Sequence, residues 1–181
     1  MPEIRLAAVG DLDEIWAMVG RAIEHMHAIG NFQWGEDYPT REFYAQDIAR
    51  GELYVAYTNI ASATDANATD EMILGVACIN TDQSPEYAPL PWRIPEPAMS
   101  IHRMAVDPLV QRQGVASALF AFAEELARSQ SIPTLHMDTY AQNERMQALV
   151  TGRGYQKVGE VHFGRDARPL MYPCWEKVLE P

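Results

Sequence analysis

The sequence predicts a single α/β domain, on three observations. Its 181 residues match the roughly 100 to 200 residues over which one core suffices. Nearly half of them, 48%, are apolar, which is the composition of a globular chain. From Ser100 onward, strand-length apolar runs alternate with helix-length amphipathic ones, giving a strand-helix-strand unit at the centre of the chain.

The elements follow in order. Ile4, Leu6 and Ala8 alternate as in a strand, and Asp11 with Glu14 three positions on forms a capping-box pattern for a helix. In that helix Ile15, Met18, Val19, Ala22, Ile23, Met26 and Ile29 share one face, and Gly30-Asn31 stops it. Thr40 caps a second helix through Arg50, ended by Gly51. Glu52 to Thr58 and Met72 to Asn80 read as strands, joined by a polar hairpin loop over Asn59 to Glu71.

Thr81 to Pro97 holds five prolines and Trp92 and predicts a stiff extended excursion, either a substrate lid or a surface loop. Then come a strand from Ser100 to Val106, a helix from Gly114 to Ser129, a strand from Thr134 to Tyr140 and a helix from Asn143 to Gly152. Strands from Tyr155 to Phe163 and from Leu170 to Val178 close the chain. Leu119, Phe122, Ala123 and Leu126 give the central helix one buried stripe.

Charge and composition narrow the function. A net charge of -11 argues against nucleic acid as a partner, because such binding depends on Lys and Arg displacing counterions. An acidic surface suits a cationic substrate such as an amine, and equally suits simple solubility. Neither a leader-like start nor a run of ~20 apolar residues is present, so a cytoplasmic protein without a membrane partner is expected. Cys78 and Cys174 have no metal-ligand spacing and read as reduced thiols; no metal is expected.

The chemistry-bearing segment is Val106-Asp107-Pro108-Leu109-Val110-Gln111-Arg112-Gln113-Gly114-Val115-Ala116, which runs from a strand end into a helix start. A helix N-terminus offers unpaired N–H groups and a positive dipole end to an anion. Gly114 can adopt conformations closed to other residues, Ala116 keeps the first turn thin, and Arg112 adds a charge. A dinucleotide-binding turn is the rival reading, with Asp138 at the distance of a ribose-binding acid. It fails because that fingerprint puts its first glycine directly after the strand, whereas seven residues intervene here.

His102-Arg103-Met104-Ala105-Val106-Asp107-Pro108 followed by Gln111-Arg112-Gln113-Gly114-Val115-Ala116 resembles the acetyl-CoA-binding core of the GNAT acetyltransferase superfamily, whose consensus is Gln/Arg-x-x-Gly-x-Gly/Ala. The resemblance continues at Asn143 and at Gly154-Tyr155, and so covers about residues 100 to 160 of a single domain spanning 1 to 181. It implies a strongly curved mixed sheet of about six to seven strands flanked by about four helices, splayed between the strands ending at Val106 and Tyr140. Acetyl-CoA would lie in the gap. Backbone of Met104, Ala105 and Val106 would hold the pantetheine, Gln111, Arg112, Gln113, Gly114, Val115, Ala116 and Ser117 the diphosphate, and Asn143 the pantetheine arm from across the splay.

The same resemblance implies transfer of the acetyl group to a primary amine of a small molecule, amino acid or peptide, the alternative being a non-catalytic acyl-CoA sensor. It puts His102 where some members relay the amine proton, a role that suits a group of pKa ~6.5. A strand histidine satisfied by backbone is the other reading of His102. Where other members carry a catalytic glutamate and a thiolate-protonating tyrosine, this chain has Ser100 and Val150. Tyr140 and Tyr155 are nearby in sequence but neither occupies the matching site, so either another tyrosine substitutes, Tyr140 being the candidate acid, or the thiolate leaves without enzymic protonation. Trp34 and Tyr38, in the segments Asn31-Phe32-Gln33-Trp34 and Tyr38-Pro39, and Asp138 with the Gly164-Arg165-Asp166 turn, are candidates for the acceptor pocket. A homodimer through the carboxyl-terminal strands is a further implication.

Overall fold

In the computed structural model, which describes residues 2–61, 69–165 and 167–179, seven strands form one mixed sheet with helices on both faces. The strands are β1 (Glu3–Leu6), β2 (Leu53–Ala61), β3 (Thr69–Asn80), β4 (Met99–Val106), β5 (Thr134–Asp138), β6 (Gln156–Val161) and β7 (Tyr172–Val178). The α-helices are α1 (Leu12–Ala28), α2 (Arg41–Arg50), α3 (Val115–Ser129) and α4 (Glu144–Gly152). Sheet order is β1-β2-β3-β4-β5-β7-β6, every neighbouring pair being antiparallel except β4 and β5.

Alternation along β2 explains the layers. Leu53 and Val55 enter a core with Ile15, Met18 and Val19 of α1 and Tyr44 and Ile48 of α2. Tyr54 and Ala56 point to the opposite core, where Leu119, Phe120 and Ala123 of α3 pack on Leu135, Met137 and Trp175. A third cluster, Tyr87, Tyr140, Val161, Tyr172 and Cys174, closes the end of the sheet beside the proline-rich segment.

The sequence reading and the structure differ at several points, one being Thr40, which precedes α2 without making a side-chain capping bond. Asp11 does not cap α1: its carboxylate accepts the Ala8 N–H at 2.7 Å and holds Arg5, stabilising a short 3-10 turn over Val9–Asp11. Glu14, expected to complete the box, instead accepts the Ile73 N–H at 2.9 Å and fastens α1 to the sheet. The hairpin strands run on through polar residues to Ala61 and start again at Thr69, because an antiparallel ladder is satisfied by backbone whatever the exposed side chains; residues 62–68 of the expected loop lie outside the described residues. The proline-rich excursion is tied down: Arg93 and Ile94 N–H donate to Glu176 at 3.0 and 2.9 Å, and Trp92 stacks on His136 with centroids 3.8 Å apart.

Candidate active site

The site is made by a failure of strand pairing. β4 and β5 pair only at Met99↔Leu135 and Ser100↔His136, and beyond those residues the two parallel strands diverge. Two cavities of about 570 Å³ each occupy the gap. Met26, Met104, Asn143 and Met146 line both, so the cavities lie side by side and share these residues.

The first cavity lies at the amino end of α3. Gly114 takes φ +79°, a left-handed conformation open to glycine, and turns the chain into the helix. No side chain caps this end, and the first intrahelical bond is Ala118 N–H to Gly114 O, which leaves the amides of Val115, Ala116 and Ser117 facing the cavity end without helical partners. Arg112 lines the same cavity, and so does Arg145, whose Nη1 donates to Gln111 Oε1 at 3.2 Å. Met104, Val106, Val110 and Leu149 supply an apolar wall. Ala105 turns its side chain into the opposite core, and Gln113 is exposed and off the lining, so neither offers a side chain here.

Two contacts hold α3 in register. A Cβ on Gly75 of β3 would come within 2.8 Å of Val115 Cγ1 and 3.0 Å of Ala105 O, so the first turn of α3 closes on the sheet only because that position is glycine. Asp107 accepts the Leu109 N–H at 3.0 Å and is ion-paired with Arg21 of α1, which fixes the turn leading into the helix.

The second cavity begins at a β-bulge. Arg103 and Met104 together oppose Ala77, between the pairs Cys78↔His102 and Val76↔Ala105, and Arg103 has φ +46°. The strain of a left-handed arginine is held by a fork: Nε and Nη2 each donate to Asp47 at 2.8 Å, and Asp47 is buried. His102 precedes the bulge with Nε2 3.1 Å from Asp82 O. A carbonyl only accepts, so Nε2 carries the proton and Nδ1 is left as a base. Burial, and secondarily the Arg103 charge, hold the imidazole below its ordinary pKa and therefore neutral near pH 7.

Trp34, Tyr38, Phe43, Phe120, Phe163 and Tyr172 supply aromatic lining to this cavity, and Asp138 lines it. Trp34 is pinned through its carbonyl, 2.7 Å from His27 Nε2. Burial pushes the Asp138 carboxyl up to about 6, against the opposing hydrogen bond from Tyr87 Oη at 2.5 Å. Of the Gly164-Arg165-Asp166 turn, Arg165 lines the cavity and Asp166 lies outside the described residues.

Two anticipated residues have side chains held in hydrogen bonds of the fold. Tyr140 is buried in the third cluster, its hydroxyl accepts the Leu170 N–H at 3.4 Å, and it lines neither cavity. Asn143 lies at the splay, but its Oδ1 accepts the Met146 N–H at 3.3 Å and its Nδ2 donates to Gln33 Oε1 at 3.0 Å, so its side chain joins two walls. Sequence reasoning missed Met26, Phe43, Arg145, Phe163 and Tyr172. Only Arg145 carried a local signal, an arginine in the first turn of the helix that follows Asn143.

A mixed sheet splayed between two parallel strands, with an uncapped helix N-terminus in the gap, defines an α/β protein with an anion-binding cleft. The chain belongs to the acetyltransferase (GNAT) family, whose family model matches residues 22–155. A GNAT-family acetyltransferase structure from Streptococcus agalactiae superposes with a TM-score of 0.79 at 24% identity, covering 99% of this chain and 96% of that one. A putative acetyltransferase from Staphylococcus aureus gives 0.69 at 26% identity over 98% and 99% of the two chains. The ribosomal-protein-alanine N-acetyltransferase of Brucella melitensis gives 0.69 at 19% over 98% and 99%, a likeness of fold. No curated protein matches the chain. Acyl transfer is thus its class of chemistry.

Proposed function

We propose that this protein moves an acetyl group from acetyl-CoA directly to the primary amine of a small molecule, amino acid or peptide. The observation that carries the reading is the junction at Met26, Met104, Asn143 and Met146, where a cavity suited to an anion adjoins one lined by aromatic and acidic groups.

The first cavity suits the CoA moiety. Amides of Val115, Ala116 and Ser117 at the positive end of a 15-residue helix, with Gln111, Arg112 and Arg145 beside them, would hold the diphosphate. The apolar wall and the backbone of Met104, Ala105 and Val106 would hold the pantetheine. When bound, acetyl-CoA supplies an activated thioester carbonyl.

The protein's own tasks are then to attract the acceptor, deprotonate it and stabilise the developing oxyanion. Asp138 draws the ammonium form into the cavity. His102, neutral and with Nδ1 unprotonated, accepts the amine proton directly or through one water. A bulge leaves its extra residue outside the ladder, so the Met104 N–H is the donor assigned to the oxyanion. The buried, engaged hydroxyl of Tyr140 keeps no acid role in this scheme, and the departing thiolate takes its proton from solvent or from the His102 imidazolium.

A cytoplasmic location belongs to the same proposal, supported by free thiols at Cys78 and Cys174. Pairing of two copies through the carboxyl-terminal strands is supported by β6 lying at an edge of the sheet.

Thermal unfolding with and without acetyl-CoA tests the reading. At about a hundredfold excess over Kd, binding to the native state alone adds ~2.7 kcal/mol, a rise of several degrees, larger than with NAD or ATP. No rise sinks the proposal. A rise without thiol release on supplying primary amines favours the non-catalytic acyl-CoA-binding alternative.

A further inference from the structure

The acceptor cavity contains three arginines that differ in what they hold. Arg103 forks onto Asp47 at 2.8 Å, and Arg50 lies 3.8 Å from Asp82. Arg165 instead rests against aromatic rings, its guanidinium carbon 4.2 Å from the Tyr38 centroid and 5.6 Å from that of Phe163. Among the described residues it has no ion-pair or hydrogen-bond partner for its guanidinium. Nearby Arg168 is engaged with Asp37, at 2.7 and 2.5 Å. A cation–π contact positions the charge but uses none of the five N–H donors.

A second group points the same way. Tyr172 lines this cavity, is only 3% exposed, and its hydroxyl has no hydrogen-bond partner among the described residues. A buried polar atom left unpaired is costly enough that native structures seldom carry one without a reason. Gln33 adds a third donor: its Oε1 accepts from Asn143 Nδ2 and Thr139 Oγ1, at 3.0 and 3.2 Å, so the amide nitrogen is the end left over on a cavity-lining side chain. The cavity therefore offers unsatisfied donors together with a cation, beside the carboxylates of Asp138 and Glu86.

We propose that the acceptor is a zwitterion of the amino-acid class, its carboxylate received by Arg165 and the Tyr172 hydroxyl while its amine lies on the Asp138 side facing His102. This rests on the amine-acceptor reading above. An amine without an anionic group would enter the cavity but leave the guanidinium and the phenol unmatched, and discrimination is largest where a site's buried polar groups lose their partners.

The test is thiol release from acetyl-CoA with the L-α-amino acids, each paired with its carboxamide and with the amine lacking the carboxyl group. The carboxamide is the less basic amine, so more of it is unprotonated near neutral pH while the free amine of the acid is the stronger nucleophile; loss of the acid preference in Arg165→Gln is what separates recognition from reactivity. The expected result is a kcat/KM ratio of acid to carboxamide of tenfold or more, collapsing by about tenfold in Arg165→Gln and severalfold in Tyr172→Phe. The thermal shift with acetyl-CoA establishes that each variant is folded. Equal or better turnover of carboxamides or simple amines overturns the carboxylate assignment and leaves the amine reading standing. So does an acid preference that survives Arg165→Gln. Absence of release with every acid, carboxamide and amine, in a protein that binds acetyl-CoA, overturns the amine reading and this inference with it.

Discussion

Asn143 Nδ2 donates to Gln33 Oε1 at 3.0 Å across 110 residues of chain. That bond closes the splay: Asn143 begins α4, Gln33 sits on the loop after α1, and Thr139 Oγ1 at the end of β5 donates to the same oxygen at 3.2 Å. The wall between the two cavities is thus a hydrogen-bonded strap made from three separate parts of the sequence.

Residues that share a bond couple when mutated, so Gln33→Ala and Asn143→Ala will not add. The double variant should be less destabilised than the sum of the singles by ~0.5–3 kcal/mol, read from urea unfolding midpoints. Additive losses would mean that the strap does not hold the wall.

His102→Ala should lower kcat by roughly 10²–10⁴-fold while the thermal shift with acetyl-CoA persists. Because burial holds the imidazole below its ordinary pKa, the acid limb of the parent kcat/KM profile should fall below ~6.5 and should disappear in the variant. Turnover unchanged by the substitution would leave His102 as a strand residue satisfied by Asp82.

Asp138 has a folded-state carboxyl raised to about 6 by burial, above its ordinary 3.8. The sign follows: between those two values the unfolded chain loses the proton first, so this group increasingly disfavours the fold as pH rises and is fully unfavourable above about 6. Asp138→Asn should therefore gain on the parent in Tm on going from pH 5 to pH 8, by a few degrees. An equal difference at the two pH values would show that the raised value is not a property of the fold.

Gly75→Ala should weaken the protein by ~1–3 kcal/mol and lower acetyl-CoA affinity as well, since the added carbon would meet Val115 Cγ1 at 2.8 Å and lift the first turn of α3. Gly10→Ala, where nothing lies within 4 Å, is the control. Denaturation midpoints and titration with acetyl-CoA separate the two effects, and an unaltered affinity would detach Gly75 from the cofactor site.

What was legible in the sequence was whatever is local. Gly114, Ala116 and the stretch from Gln111 lie within one turn and one helix start, so they could be nominated together as an anion-binding end once the strand before them and the family resemblance gave the context, and alternation or helical spacing identified each element of the sheet and its helices. The capping role assigned to Asp11 failed because Arg5 and the Ala8 amide compete for the same carboxylate, and a tertiary partner took Glu14. In the second cavity Trp34, Tyr38, Asp138 and Arg165 were nominated from the sequence and do line it, but their meeting in one place was decided by tertiary structure. That cavity's lining comes from the Gln33 loop, α2, the proline-rich segment, the ends of β4 and β5 and the turn before β7, and no sequence spacing relates Phe43 to Tyr172. Likewise, Tyr140 could be nominated from its position after a strand, but only packing shows its hydroxyl turned to Leu170 while Tyr172 faces the cavity. The reason is physical: backbone geometry carries short-range order in the chain itself, whereas which side chains are desolvated together depends on how sheet and helices close around a gap left where two strands stop pairing.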